Sequence, residues 1–370
     1  MSQLPTSQSP PFLPLLVTGI AGVAGYNAFH YFRARFPGQV FGVRRADNWP
    51  LSGDGIVACD AMDEAAWARL FDEHQFKAVV NCEGSCKLKS CELDPEMAWR
   101  VNVGGLQNLL RMIGQTKVRL VHFSIDLVFS GTAGGRHVED DPTDPVTVYG
   151  RTMVEAEAYL QEHAPDAAIL RISLPMGVSF NGHAGAIDWI QSRFAKSKPA
   201  TLYYDEIRTP VYTDCLNELL AALLSNDMSG LYHAGGPRPL SLFQIAQIVN
   251  RLGGYDPDLL IGCMRHEAGP IPPRAGDVTL DSSKLVRALG YQPFDAWPLR
   301  DDHTPDHPRW HNDRLTDERG SPQLLVETLY RNRQKTALHR CEGTGSRNFR
   351  HESVAPVVAT DKLNTRNRPG

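Results

Sequence analysis

The chain has no apolar run approaching the roughly 18 to 20 residues needed to cross a bilayer, and no Lys or Arg precedes its first short apolar stretch, PPFLPLLVTG. Neither a membrane anchor nor a secretory leader is expected, which points to the cytoplasm. An excess of positive charge is missing as well, since 38 Lys and Arg against 42 Asp and Glu leave a formal charge of −4. Nothing draws such a chain to nucleic acid or to an anionic membrane surface. Cysteine is sparse, seven in 370 residues, and an odd, scattered set argues against a disulfide framework. The one cluster, CEGSCKLKSC, spaces its thiols by four and five, unlike the Cys-x-x-Cys pairs of zinc and ferredoxin sites. Reduced thiols and no metal are expected. There is no internal repeat.

What is present is an alternation. Short apolar runs, PLLVTG, VFGV, KAVVNC, VRLVHFS and AAILRISLP, alternate with amphipathic stretches that read as helices over 22–35, 64–74, 95–114 and from Tyr149 onward. Strands this apolar, separated by helices, predict an α/β fold: a Rossmann-type doubly wound parallel sheet covered on both faces. The expected layout is a flexible leader over 1–11 and a dinucleotide-binding domain over 12–178. A smaller mixed α/β substrate-binding region over 179–322 follows, with some segments returning to the first domain. Residues 323–370 hold a last helix, QLLVETLYRNRQ, and a tail. From Arg331 to Gly370 the net charge is +6, leaving −10 on the rest. Its fading hydrophobic pattern reads as a disordered, solvated extension.

TGIAGVAG places Gly19, Gly22 and Gly25 at three-residue intervals where the first strand meets the first helix. There each glycine has a task in dinucleotide binding: a tight turn, backbone approach to a pyrophosphate, and close packing of helix on strand. The second strand ends VFGVRR, with no Asp or Glu to hold a ribose diol; Arg44 and Arg45 stand there instead. Guanidinium groups match a 2′-phosphate, so NADP(H) is preferred over NAD(H). Asp60, at the end of the third strand, reads equally as an adenine-side partner or as a helix cap.

With VVNC, RVNVGGLQNLL, VHFSIDLVFSG, DPTDPVTVYGRTMVEAE and LRISLPMG, the chain resembles the extended short-chain dehydrogenases/reductases, and within them the dTDP-4-dehydrorhamnose reductases. The resemblance runs from about Leu13 to Leu299. It implies NADPH-dependent reduction of a 4-keto deoxysugar nucleotide, with Tyr149 as proton donor and Ser124, Asp126 and Asn102 in supporting positions. Cys82 and Glu83 fall beside the cofactor, Glu83 where the family has alanine. Arg208 and Arg274 become candidates for the substrate pyrophosphate, with surface salt bridging the other reading of each. Two positions depart from the family's catalytic set: Ile125 stands in the place of its threonine and Met153 in that of its lysine. An alkyl chain donates no hydrogen bond and a thioether carries no charge, so the resemblance also admits a non-catalytic dinucleotide-binding protein. The regulatory beta subunit of methionine adenosyltransferase is similar in fold, and such a protein would need a homodimeric or other protein partner rather than turnover.

Overall fold

The computed structural model describes residues 10–331 apart from 115–116, 183–184 and 314–318. Most of the expected leader and all of the basic tail beyond Arg331 lie outside these residues.

Strand β1 (Leu15–Val17) runs into helix α1 (Val23–Arg35), and β2 (Val40–Arg44) and β3 (Ile56–Ala58) follow. Helix α2 (Glu64–His74) leads to β4 (Ala78–Asn81), and β5 (Arg119–Ile125) and β6 (Ala168–Ile172) complete the run. These strands and Gly230–Ala234 form one parallel sheet, ordered β3, β2, β1, β4, β5, β6 and then Gly230–Ala234 at the edge. The order reverses between β1 and β4, so the mouth of the sheet opens at the carboxyl ends of these two strands, where α/β proteins bind ligands. Burial on both faces explains why the strands are apolar without alternation. Leu15, Val17, Val80 and Val121 pack on one side with Phe29 and Phe32 of α1. Leu16, Val79 and Leu120 pack on the other with Trp67 and Leu109.

The amphipathic stretch 95–114 is a broken helix. After the short α3 (Leu88–Leu93), Asp94 caps the start of α4 (Pro95–Trp99) by accepting from Met97 N, and the segment Arg100–Gly104 widens into a π turn before the α-helix resumes as α5 (Gly105–Ile113). Asn102 sits at the centre of that turn, which is common at functional sites. Beyond β6, Ala200–Tyr203 pairs in parallel with Leu260–Cys263, and Val211–Tyr212 with Pro175–Met176. The last helix covers Pro322–Thr328, shorter than the pattern from Gln323 predicts, and Ser321 caps it. Among the described residues no helix is long and apolar enough to cross a membrane.

His122, on β5, is buried and its Nδ1 accepts from Asn81 Nδ2 at 2.9 Å, while its Nε2 has no partner among the described residues. Burial pulls its pKa down to about 4. The unfolded chain therefore takes up a proton near pH 6.5 that the folded chain refuses until about pH 4. This part of the stability is complete above pH 6.5 and is lost as the pH falls through that window. From pH 7 to 5 it should amount to about 2 kcal/mol, and urea denaturation of the native protein and of His122→Gln at both values should show the variant losing that much less.

Candidate active site

At the sheet mouth the glycines divide into two kinds. Gly19 has φ +64°, and a Cβ there would lie 2.2 Å from the Cys82 carbonyl oxygen; a Cβ on Gly25 would lie 2.4 Å from the Gly19 carbonyl oxygen. Both are fixed by the protein's own packing. A Cβ on Gly22 would meet no protein atom closer than 3.5 Å, so internal packing does not require a glycine there. Gly22 is also the N-cap of α1, which has no capping side chain and no acidic residue in its first turn. Bare amides at the positive end of a 13-residue helix suit a pyrophosphate, and a glycine beside them lets it approach the backbone. The loop thus fits a dinucleotide. Alanine at Gly22 should leave the unfolding midpoint within about 1 kcal/mol of native and weaken dinucleotide binding at least tenfold by fluorescence titration, whereas alanine at Gly19 should lower the midpoint itself.

Thr18 staples the turn to β4. Its hydroxyl donates to Asn81 Oδ1 at 2.5 Å and accepts from the amides of Cys82 and Glu83 at 3.1 and 3.2 Å. The Glu83 carboxyl is pushed above the usual carboxylate range by burial, with the Gly19 amide and Arg45 acting against the rise. Cys82 is half-buried and its thiol too is raised by burial. The six cysteines among the described residues are free thiols, and no cluster of His, Cys, Asp or Glu there could hold a metal.

Of the two arginines after β2, Arg44 turns back on its own loop, donating from Nη1 to the carbonyls of Arg45 and Ala46. Only Arg45 stays at the surface, paired with Asp47 at 2.7 Å. Asp60 accepts from Ala46 N at 3.0 Å and so ties this loop to the end of β3; the cap of α2 is Asp63, not Asp60.

Helix α6 (Val148–His163) starts at Thr147, whose hydroxyl accepts from Gly150 N. A Cβ on Gly150 would lie 2.2 Å from the Leu127 carbonyl oxygen, so the glycine after Tyr149 is what lets the helix start press against the chain leaving β5. Tyr149 is buried here with Leu127, Val128, Phe129, Cys91 and Met153, and Ile125 packs against the same cluster. Burial pushes the phenol well above its ordinary pKa, and Cys86 and Asp126 add to the rise. The positions that would carry a threonine hydroxyl and a lysine ammonium are both apolar walls.

The supporting residues separate. Asn102 accepts from Ser85 N at 2.7 Å and donates to Thr152 Oγ1 at 2.8 Å, and Thr152 donates to the Tyr149 carbonyl. It thereby joins the loop after β4 to the turn that carries Tyr149. Ser124 points to the other face of β5, where its hydroxyl donates to Glu157, itself ion-paired with Arg171 at 2.7 Å. That correction follows from strand geometry: neighbouring residues face opposite sides. Asp126 is fully buried, accepting from Ser173 Oγ at 2.6 Å and from Arg208 Nε at 2.6 Å. Arg208 is thus held by Asp126 inside the protein and not at the surface, a second correction. Arg274 is about a quarter exposed, 3.7 Å from Glu206 and stacked over Tyr203 at 4.7 Å. Cys86, Thr18, Thr152 and Glu206 were not singled out by sequence, and only the Thr before the glycine turn carried a signal.

Residues 13–299 match the family described as the RmlD substrate binding domain. A dTDP-4-dehydrorhamnose reductase of Mycolicibacterium smegmatis is 28% identical over 270 residues, covering 70% of this chain and 80% of the relative. Methionine adenosyltransferase 2 subunit beta of Danio rerio is 23% identical over 288 residues, 74% of this chain and 84% of the relative. Among solved structures, dTDP-4-dehydrorhamnose reductase of Bacillus anthracis in complex with NADP superposes with a TM-score of 0.66 at 18% identity, covering 76% of this chain and 95% of that one.

Proposed function

Because the chain belongs to the RmlD substrate binding domain family, we propose that it reduces a 4-keto deoxysugar nucleotide, with a nicotinamide dinucleotide as the hydride donor. The observation that carries this reading is the placement of Tyr149: a phenol at the start of α6 and beside the end of β5. Gly19, Gly22, Gly25 and the first amides of α1 would hold the dinucleotide, and Arg45 would meet a 2′-phosphate, which makes NADP(H) the preferred form. When bound, the cofactor supplies a hydride to the carbonyl carbon. Tyr149 gives its phenolic proton to the oxygen that becomes the alkoxide, a contribution of roughly 10²- to 10⁴-fold. Ile125 adds no donor at that oxygen, and Met153 offers no positive charge to lower the phenol's pKa. The phenol therefore works as an acid and poorly as a base. Reduction is favoured over oxidation, and the reductive rate should stay level on the alkaline side to about pH 9, below the ordinary tyrosine pKa of about 10.

A second reading rests on the same two residues. The apolar walls at Ile125 and Met153 also suit a dinucleotide-binding regulatory subunit that performs no turnover. NADPH consumption with dTDP-4-dehydrorhamnose, compared between the native chain and the Ile125→Thr/Met153→Lys variant, separates them. Turnover by the native chain supports the reductase. Turnover that begins only with the restored pair supports the regulatory subunit.

A further inference from the structure

A cleft of about 650 Å³ opens beside the edge strand Gly230–Ala234, and none of the glycine turn, Arg45, Tyr149 or Arg274 lines it. Its volume is that of a small-molecule site. Four segments build it: the loop after β5 through Arg136, Thr209, the end of the edge strand through Gly235 and Gly236, and the stretch from Thr279 to Gln292. They are locked together. Gly235 N donates to Ser282 Oγ at 3.0 Å, and a Cβ on Gly236 would lie 2.0 Å from the Pro210 carbonyl oxygen. Arg136 holds φ +52°, costly for a residue with a side chain, and its amide is fixed by Thr279 Oγ1 at 2.8 Å.

The polar groups of the wall are sorted by sign. Its hydroxyls are used internally, Thr279 on Asp277 and Ser282 on the Gly235 carbonyl. Asp281, the one carboxylate in the lining, accepts from Ser283 N at 2.8 Å. Arg136 and Arg287 carry two positive charges against it and act on its carboxyl through space, and the guanidiniums make no close ion pair among the described residues; the amide oxygen of Gln292 accepts from Phe294 N. Leu280, Val286, Pro237 and Pro239 give the floor an apolar surface. Two arginines against one carboxylate, lining a cleft with an apolar floor, match an anion of several oxygens joined to an organic body.

We propose that this cleft is an anion site for a phosphorylated small molecule, held by Arg136 and Arg287 and separate from the dinucleotide and substrate sites. The site is wired to the catalytic region by one chain of hydrogen bonds. Thr209, in its wall, donates its amide to Ser173 Oγ at 3.1 Å, and Ser173 donates to Asp126.

The test is calorimetric titration of inorganic pyrophosphate at low salt into the full chain kept saturated with NADPH. Three proteins are compared: native, Arg136→Ala/Arg287→Ala, and Arg45→Ala. Binding to the native chain that weakens at least tenfold in the double variant and is unchanged in Arg45→Ala is the expected result. No binding to the native chain, equal binding in the double variant, or an equal loss in Arg45→Ala would overturn it, the last by placing the anion at the dinucleotide site. Both arginines are exposed, so their removal leaves the fold intact. If NADPH itself fails to bind, the comparison between the variants still decides, and it is the dinucleotide-binding readings of the proposed function that are lost.

Discussion

Tyr149→Phe should lower NADPH-dependent reduction by roughly 10²- to 10⁴-fold while leaving the unfolding midpoint close to native. The two halves of this expectation rest on one fact: among the described residues the Tyr149 hydroxyl has no hydrogen-bond partner, although the ring is buried with Leu127, Phe129 and Met153. Removing a hydroxyl that no protein group partners leaves nothing unsatisfied, so the core keeps its packing. A structural tyrosine bonded to its surroundings would behave the opposite way, losing stability first. The substitution therefore reads chemistry with little interference from folding. A fall in kcat with an unchanged KM for the nucleotide-sugar is the signature of a donor that acts on the developing alkoxide. Equal, measurable rates in the native and variant proteins would remove Tyr149 as the proton donor and pass that role to another group.

Much of this site was legible because its parts are backbone problems. A left-handed turn pressed against Cys82 and a helix packed on Gly19 both demand glycine, and so Gly19 and Gly25 announce the turn at the first strand-helix junction. The doubly wound sheet is legible for a similar reason: burial on both faces forces unbroken apolar runs. Partnership was not legible. Whether Arg208 faces solvent or Asp126 is decided by contacts across 82 residues of chain, and nothing local distinguishes a ligand-binding arginine from a buried one. Arg44 shows the same blindness at short range, since its guanidinium closes on the carbonyls of the next two residues. Ser124 lay between these extremes. Strand alternation placed it on the far face, but its partner Glu157 comes from α6.

Met153 raises a question of cost. It is buried beside Tyr149, and the lysine of the resembled family would have to hold its charge there. An ammonium in an apolar setting is tolerated only with a partner. Met153→Lys by itself should therefore lower stability, and a bound dinucleotide should return part of the loss through mass action. The apolar residue at 153 and the raised phenol pKa share one cause: the burial that disfavours a phenolate also leaves no place for an unpaired cation.

Arg208→Ala should cost about 3–5 kcal/mol of stability. Arg208 is 4% exposed and Asp126 is not exposed at all, so truncating the arginine strands a carboxylate in the interior. That carboxylate retains Ser173 Oγ as donor, which offsets a neutral hydrogen bond's worth and not a guanidinium's. If burial without a partner is the cause, removing both charges must repair most of the damage. Asp126→Leu/Arg208→Met should accordingly be far more stable than Arg208→Ala, since replacing a buried pair by apolar residues of similar volume is often neutral. Urea midpoints at constant m-value for the native chain and the two variants supply the comparison. A double variant as unstable as Arg208→Ala would mean that packing, not an orphaned charge, explains the loss. An Arg208→Ala protein of native stability that has lost affinity for the sugar nucleotide would return Arg208 to the phosphate-binding role that its sequence position suggests.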